Sequence, residues 1–344
     1  MAVLRRASCR RAGGVPGYIV SRLHAKYKRV TDVVKGMIHI ELRRYLPEGL
    51  RAGVRESAVS TREALRRAAE TGKILEGRAV RCDAEKNILV ELGGGLRGVI
   101  PRAEAAAGEN VRDIAVITLV GKQVCFKVLD ALAPLPVLSR RLAQQEARDA
   151  LMGGLRPGDV IPVRVTHLEP FGAFVDMGCG LASLIGIENI SVSRISHPAE
   201  RFCPGQQAYA AVLSIDEGLG RVNLTHRELL GTWEENAARF EPGDTVEGIV
   251  RGVEEYGSFI ELAPNLSGLT ERREGLEEGD RVSVFIKSII PERMKVKLTV
   301  VEKLGRAEPT PVDYFICGGH ISRWRYSPEC CNTKLVERVF DRAD

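Results

Sequence analysis

The sequence predicts a mainly β protein: three tandem five-stranded barrels joined by short linker helices, with an aromatic C-terminal extension. Three observations carry this. The stretch Pro170-Phe171-Gly172-Ala173-Phe174-Val175-Asp176-Met177-Gly178 returns as Glu255-Tyr256-Gly257-Ser258-Phe259-Ile260-Glu261-Leu262, both aromatics displaced by 85 residues. Gly158-Asp159 returns as Gly243-Asp244 at the same offset, and a fixed internal period marks a repeated structural unit. Short runs of alternating polar and apolar residues, bounded by glycine turns, fill each unit, which is the pattern of half-buried strands.

The 344 residues suffice for two to four small domains. No apolar run reaches the length of a membrane span, and no secretory h-region is evident. Eight cysteines lack framework spacing, so a reducing, cytoplasmic location is expected. The formal charge of +5 is unevenly spread: residues 1–30 carry eight basic side chains and no acid, leaving a net −3 elsewhere. Residues 241–303 hold nine basic and 13 acidic side chains. Nucleic-acid binding by the repeats therefore has to come from local faces rather than bulk charge.

In chain order, residues 1–36 read as a disordered basic extension, or as a segment upstream of a start at Met37. A basic arm on RNA phosphates and an organelle transit peptide also fit their composition. Residues 37–72 form an N-terminal segment with a helix from about 60 to 71, started by a Ser60/Glu63 capping box and stopped by Gly72. Repeat one spans 73–133, with strands expected at Ile74–Arg81, Ile88–Leu92, Leu96–Ile100, Ile114–Val120 and Gln123–Leu129. Gly93-Gly94-Gly95 is its hairpin loop; no Lys-Ser or Lys-Thr follows to make it a phosphate cradle.

Residues 134–156 are a linker with a Pro-containing start and a helix from Ser139 to about Met152. Repeat two spans 157–227, with strands at Val160–Val165, Phe171–Met177, Leu181–Ile187, Ala208–Ile215 and Arg221–Thr225. Leu229, Leu230, Trp233, Ala237 and Phe240 at helical spacing predict a linker helix over 228–240 with Trp233 in the core. Repeat three spans 241–303, with strands at Thr245–Val250, Ser258–Leu262, Arg281–Ile290 and Lys295–Val300. The tail, 304–344, is rich in aromatics (Tyr314, Phe315, Trp324, Tyr326, Phe340), is broken by Pro309 and Pro311, and is expected to cap repeat three and end in a short helix near 333–341.

Five short strands per unit fit the five-stranded OB-type barrel, whose strands two and three face nucleic acid. Strict alternation turns only one of Phe171 and Phe174 outward; a bulge or twist at Gly172 would expose both. Exposed rings on such a face stack on bases without reading sequence.

These motifs resemble the RNA-binding repeat of the bacterial small-subunit ribosomal protein S-one family: Gly158-Asp159, Phe171-Gly172-Ala173-Phe174-Val175 and Asp216-Glu217-Gly218-Leu219-Gly220-Arg221-Val222-Asn223-Leu224-Thr225. Residues 41–342 look like the family's three-repeat form in Gram-positive anaerobes. The resemblance implies an RNA face of Phe171, Phe174 and Arg221 in repeat two, and of Tyr256, Phe259, Arg293 and Lys295 in repeat three. The family's strand-three histidine is missing, its place falling near Ile187 and near Leu269-Thr270; Arg194 and His197 in the loop of repeat two are candidates to compensate. In repeat one Lys86, Asn87 and Leu89 stand where the aromatic-Gly-x-aromatic motif would be. The resemblance makes that repeat a docking module for the small ribosomal subunit. The partners it implies are single-stranded mRNA and that subunit, with no membrane.

Catalytic and metal chemistry have weaker signals. Cys317 and His320, with Cys330 and Cys331, supply zinc-ligand types, but at short spacing and with adjacent cysteines. His24, His39, His167, His226 and His320 are isolated. Asp176, Asp216 and Glu217 fall at strand ends and turns. No enzyme activity and no cofactor are expected.

Overall fold

The computed structural model describes residues 45–50, 61–108, 111–308 and 312–341. The readings for residues 1–36, Met37, Ser60, Pro309 and Pro311 lie outside them.

The first barrel follows helix α1 (Arg62–Thr71). Its cap is Thr61, whose hydroxyl accepts from Ala64 N–H, in place of the expected Ser60; Gly72 ends it at φ 63°. Strands β1 (Leu75–Cys82), β2 (Ile88–Gly93), β3 (Leu96–Ile100), β4 (Gln123–Asp130) and β5 (Val137–Ser139) close in the order β1-β2-β3-β5-β4. Two expectations fail here. Ile114–Val120 is not a strand: Asp113–Ile117 is a short helix, α2, and only Val116 of it is buried. One inward residue is too little to hold a strand in a barrel wall. The barrel instead closes with β5, from the stretch read as linker; Val99 of β3 pairs with Val137.

Helix α3 (Arg140–Gly154) starts on Ser139, whose hydroxyl accepts from Leu142 N–H. It buries Ala143, Ala147 and Leu151 at helical spacing in the second barrel's core. That barrel comprises β6 (Asp159–Glu169), β7 (Gly172–Asp176), β8 (Ala182–Gly186), β9 (Gln207–Asp216) and β10 (Arg221–Thr225), with β6 pairing both β7 and β9 to close it. The expected continuous linker helix is broken: a 3-10 turn (Arg227–Leu230) precedes helix α4 (Trp233–Ala237). Gly231 at φ 82° separates them, a left-handed conformation that cannot propagate a helix. Trp233 is buried in the third barrel's core. The third barrel, β11 (Thr245–Glu254), β12 (Gly257–Ala263), β13 (Leu266–Thr270), β14 (Asp280–Ile290) and β15 (Lys295–Arg306), closes as β11-β12-β13-β15-β14.

The tail departs from expectation. It ends in strand β18 (Glu337–Val339), not a helix, paired with β17 (Arg323–Arg325). It also binds both neighbouring barrels rather than capping repeat three alone. Strand β16 (Gly319–His320) extends the second barrel along β6, while Trp324, Tyr326 and Phe340 sink into the core of the third. Tyr326 O–H donates to Asn265 O at 2.8 Å.

Buried polar contacts join the barrels. Between one and two, Glu48 takes a two-pronged ion pair from Arg140 (2.7 and 2.9 Å), and accepts from Cys125 N–H of β4. Its own N–H donates to Asp176 of β7. Between two and three, Arg201 and Arg251 both grip Glu261, and Arg251 also pairs with Glu200. Two cations and two carboxylates there leave no net charge in the interface. Asn265 donates to Arg227 O and Gly231 O and accepts from Val192 N–H.

Candidate nucleic-acid interface

The rings single out one hairpin in each of barrels two and three. Glu169 pairs with Gly172, and Glu254 with Gly257, so Pro170-Phe171 and Glu255-Tyr256 are two-residue turns. Phe171 and Tyr256 therefore sit at hairpin tips, outside the alternation of the strands. That places both rings of each pair outward, with no bulge at Gly172. The bulges lie on the partner strands, between Val165 and His167 and between Val250 and Gly252. Phe171 is 56% exposed and Tyr256 68%. Rings so open add little to a core. Phe171 and Phe174 meet edge-to-face at 6.0 Å and 84°, and Tyr256 and Phe259 at 6.2 Å and 88°. The same geometry is built twice.

The glycine between the rings has a local cause. A Cβ on Gly172 would lie 2.5 Å from Ile185 O, and one on Gly257 2.3 Å from Thr270 O. The third strand crosses too close for any side chain there.

Strand register shows what stands beside the rings. Across barrel two, His167, Phe174, Leu184 and Asn223 are successive partners on β6, β7, β8 and β10. Across barrel three, the matching row is Gly252, Phe259, Leu269 and Lys297. In barrel one it is Arg81, Leu89, Val99 and Val137, with no ring.

Arg221 and Lys295 are exposed two residues before Asn223 and Lys297 on β10 and β15, hence on the same face as those row members. Arg293 is exposed in the turn leading into β15. Lys297 belongs with this set and was not singled out from the sequence; the alternation of Lys295 and Lys297 was the available signal. His167 was read as isolated, yet its imidazole stacks on Phe174 at 4.2 Å and 8°. Thr166 O–H donates to Phe174 O and lies 3.2 Å from His167 Nδ1, fixing that ring. Only the bulge, which brings His167 opposite Phe174, could have revealed this.

Arg194 and His197 do not join the ring pair. They line a cleft of about 380 Å³ between the loop of barrel two and the third barrel, with Arg251 and Glu278; neither ring pair lines it. His197 Nδ1 accepts from Ala199 N–H, capping the turn Pro198–Glu200, a structural task.

His320 has Asp159 at 2.8 Å and Asp341 at 3.0 Å on its two ring nitrogens, and Cys331 contacts Lys334 O and Thr333. Among the described residues no three His, Cys, Asp or Glu side chains converge as a metal site would require. Asp176 is buried and accepts N–H from Glu48, Gly178 and Gly180. Burial, and then the Glu48 charge, push its carboxyl above the usual range.

Five-stranded closed barrels in tandem, two of them with a pair of outward rings at the hairpin between strands one and two, define a class: OB-fold barrel proteins. Comparison with known proteins narrows this. Residues 155–227, the second barrel, match the S1 RNA binding domain family. The small ribosomal subunit protein bS1 of Staphylococcus aureus (strain COL) is 32% identical over 224 residues, covering 60% of this chain and 56% of that protein. The bS1 homolog of Bacillus subtilis is 28% identical over 314 residues, covering 85% and 80%. The chain is similar to the bacterial bS1 proteins, and it spans about half the length of the staphylococcal ones. No helix among the described residues is long and apolar enough to cross a membrane.

Proposed function

We propose that the chain is a non-enzymatic, cytoplasmic RNA-binding protein of the translation apparatus. It binds single-stranded mRNA weakly, with little sequence preference, through barrels two and three, and holds it near the small ribosomal subunit. The duplicated ring pair carries the reading: two hairpins present the same edge-to-face aromatics to solvent, beside exposed cations. Each stacked base contributes roughly 1–3 kcal/mol whatever its identity. Two weak sites on one chain reinforce each other through effective concentration. The ribosome enters from the names of the relatives.

Barrel one turns no ring outward, its Phe126 being buried, and exposes apolar side chains instead, Ile114, Leu129 and Leu132 among them. That surface suits protein contact, so barrel one is assigned to docking on the subunit.

The test is the double variant Phe171→Ala/Tyr256→Ala. Its affinity for a single-stranded oligonucleotide should fall by about thirtyfold or more, two stacked bases being lost, with the unfolding midpoint unchanged. Unaltered affinity in a folded variant would turn the protein into an interaction scaffold. Sedimentation with small subunits checks the second half; recovery only in free fractions would place the RNA binding off the ribosome.

A further inference from the structure

The two ring pairs differ on one side. In barrel two, one face of Phe174 is covered by His167, parallel and in stacking contact. In barrel three the same register place, one residue past the matching bulge, is held by Gly252. The backbone does not demand glycine there. Gly252 is not among the positive-φ glycines, and a Cβ built on it meets a single heavy atom within 4 Å, Phe259 Cδ2 at 3.8 Å. Where His167 begins its side chain in barrel two, barrel three has only Gly252 beside a Phe259 that is 37% exposed.

We propose that the uncovered face of Phe259, above Gly252, is a nucleobase subsite that barrel two lacks, because His167 occupies the equivalent place there. This rests on the RNA-binding reading above and deepens it. The separation and tilt of the His167–Phe174 pair are those of a planar ring stacked on phenylalanine, so the fold already shows what a flat heterocycle does at this position. Position 252 offers no side chain to read a base edge, so the subsite takes any base by its flat face. On the other flank, beyond Leu269, Lys297 supplies a cation in the same row for the phosphate that follows. Barrel two has the uncharged Asn223 at that row position.

The experiment uses the full chain and end-labelled oligouridylate of about 12 nucleotides, within the range one or two such barrels occupy, read by fluorescence anisotropy. Gly252→His, assayed at pH 8 so that the new imidazole is neutral, should weaken binding about fivefold or more, the low end for one stacked base. His167→Ala should tighten it by a similar factor. Gly252→His that binds as the parent does, or more tightly, overturns the subsite; if Phe259→Ala in the same assay still loses about fivefold or more, the RNA-binding face itself stands. If Phe259→Ala and Phe171→Ala both bind as the parent does, the RNA-binding reading falls and the subsite with it. Unfolding midpoints monitor integrity. Should Gly252→His fold poorly, the His167→Ala arm decides alone, and failure to tighten counts against the proposal.

Discussion

Gly172 sits between the two rings of the second barrel for reasons of packing, not of flexibility. A methyl group there would lie 2.5 Å from Ile185 O, 3.0 Å from Leu184 Cδ1 and 3.2 Å from Gly186 Cα. Backbone cannot yield as a side-chain tip can. Gly172→Ala should therefore destabilise the protein by about 1–3 kcal/mol, the range for overpacking a tight site. It should also weaken RNA binding, because β8 must move away from the strand that carries Phe174. Urea unfolding followed by circular dichroism measures the first effect. Gly153, near the end of α3, has nothing within 4 Å of a built Cβ. Gly153→Ala should stabilise instead, by about 0.5–1 kcal/mol. Equal effects from both substitutions would mean that close approach is not what keeps Gly172.

At the scale of elements, the tail is held to the second barrel through a buried histidine. His226 Nδ1 lies 2.7 Å from Ile190 O, a carbonyl that only accepts, so Nδ1 carries the proton. Nε2, 3.0 Å from Tyr314 Oη, is then free to accept the phenol's proton, and Tyr209 N–H donates to that same oxygen. The chain of bonds closes only with a neutral imidazole. Burial, and then the nearby Arg201 charge, lower the His226 pKa to about 4, against the Ile190 bond that raises it.

The sign follows from linkage. The unfolded chain, with a histidine near 6.5, takes up the proton first. The stability this neutral histidine contributes is full above about pH 6.5 and is lost as pH falls toward 4. The full loss is on the order of 3 kcal/mol. His226→Gln should flatten this acid limb relative to the parent, measured as urea midpoints at pH 7, 5.5 and 4.5; parallel curves for the two proteins would refute it. His320 has the opposite tendency. Although burial works against it, Asp159 and Asp341 raise its pKa, so the contact between β16 and the start of β6 weakens as pH rises.

At the scale of the whole molecule, one carboxylate ties barrel one to barrel two. Glu48 is bound at once by Arg140 of α3, by β4 and, through its N–H, by β7. Glu48→Gln takes away the paired carboxylate of the buried Arg140 guanidinium and leaves Asp176 as its nearby counter-charge, so the loss is at most about 3–5 kcal/mol. Thermal unfolding should then separate into two transitions, barrel one leaving first, where the parent is expected to melt in one. A single unbroken transition with an unshifted midpoint would show that the barrels are joined by other contacts.

Much of this was legible in advance, for identifiable reasons. Most strand positions in barrels two and three follow from a period-2 pattern that only a pleated, half-buried strand satisfies, though β13 (Leu266–Thr270) had no expected range, and β3 and β10 fall on their expected limits. The 85-residue repeat announced that whatever faced out of one barrel would face out of the next. Failures came where pattern is weak. Helix α2 is apolar without direction, since it buries one side chain. Strand β5 is three residues long and is a strand only because β3 and β4 lie on either side of it.

The sequence alone determined the barrels, their number and the two repeated aromatic motifs, because alternation, glycine spacing and repeat length are local properties that survive without knowledge of neighbours. The tertiary structure alone decided that Phe171 and Tyr256 stand at hairpin tips, that His167 stacks on Phe174 while Gly252 stands opposite Phe259, and that the tail stitches two barrels together. Those are matters of register and of contact between residues far apart in the chain. A single bulge residue moves every side chain beyond it to the other face, and no local pattern records where that residue falls.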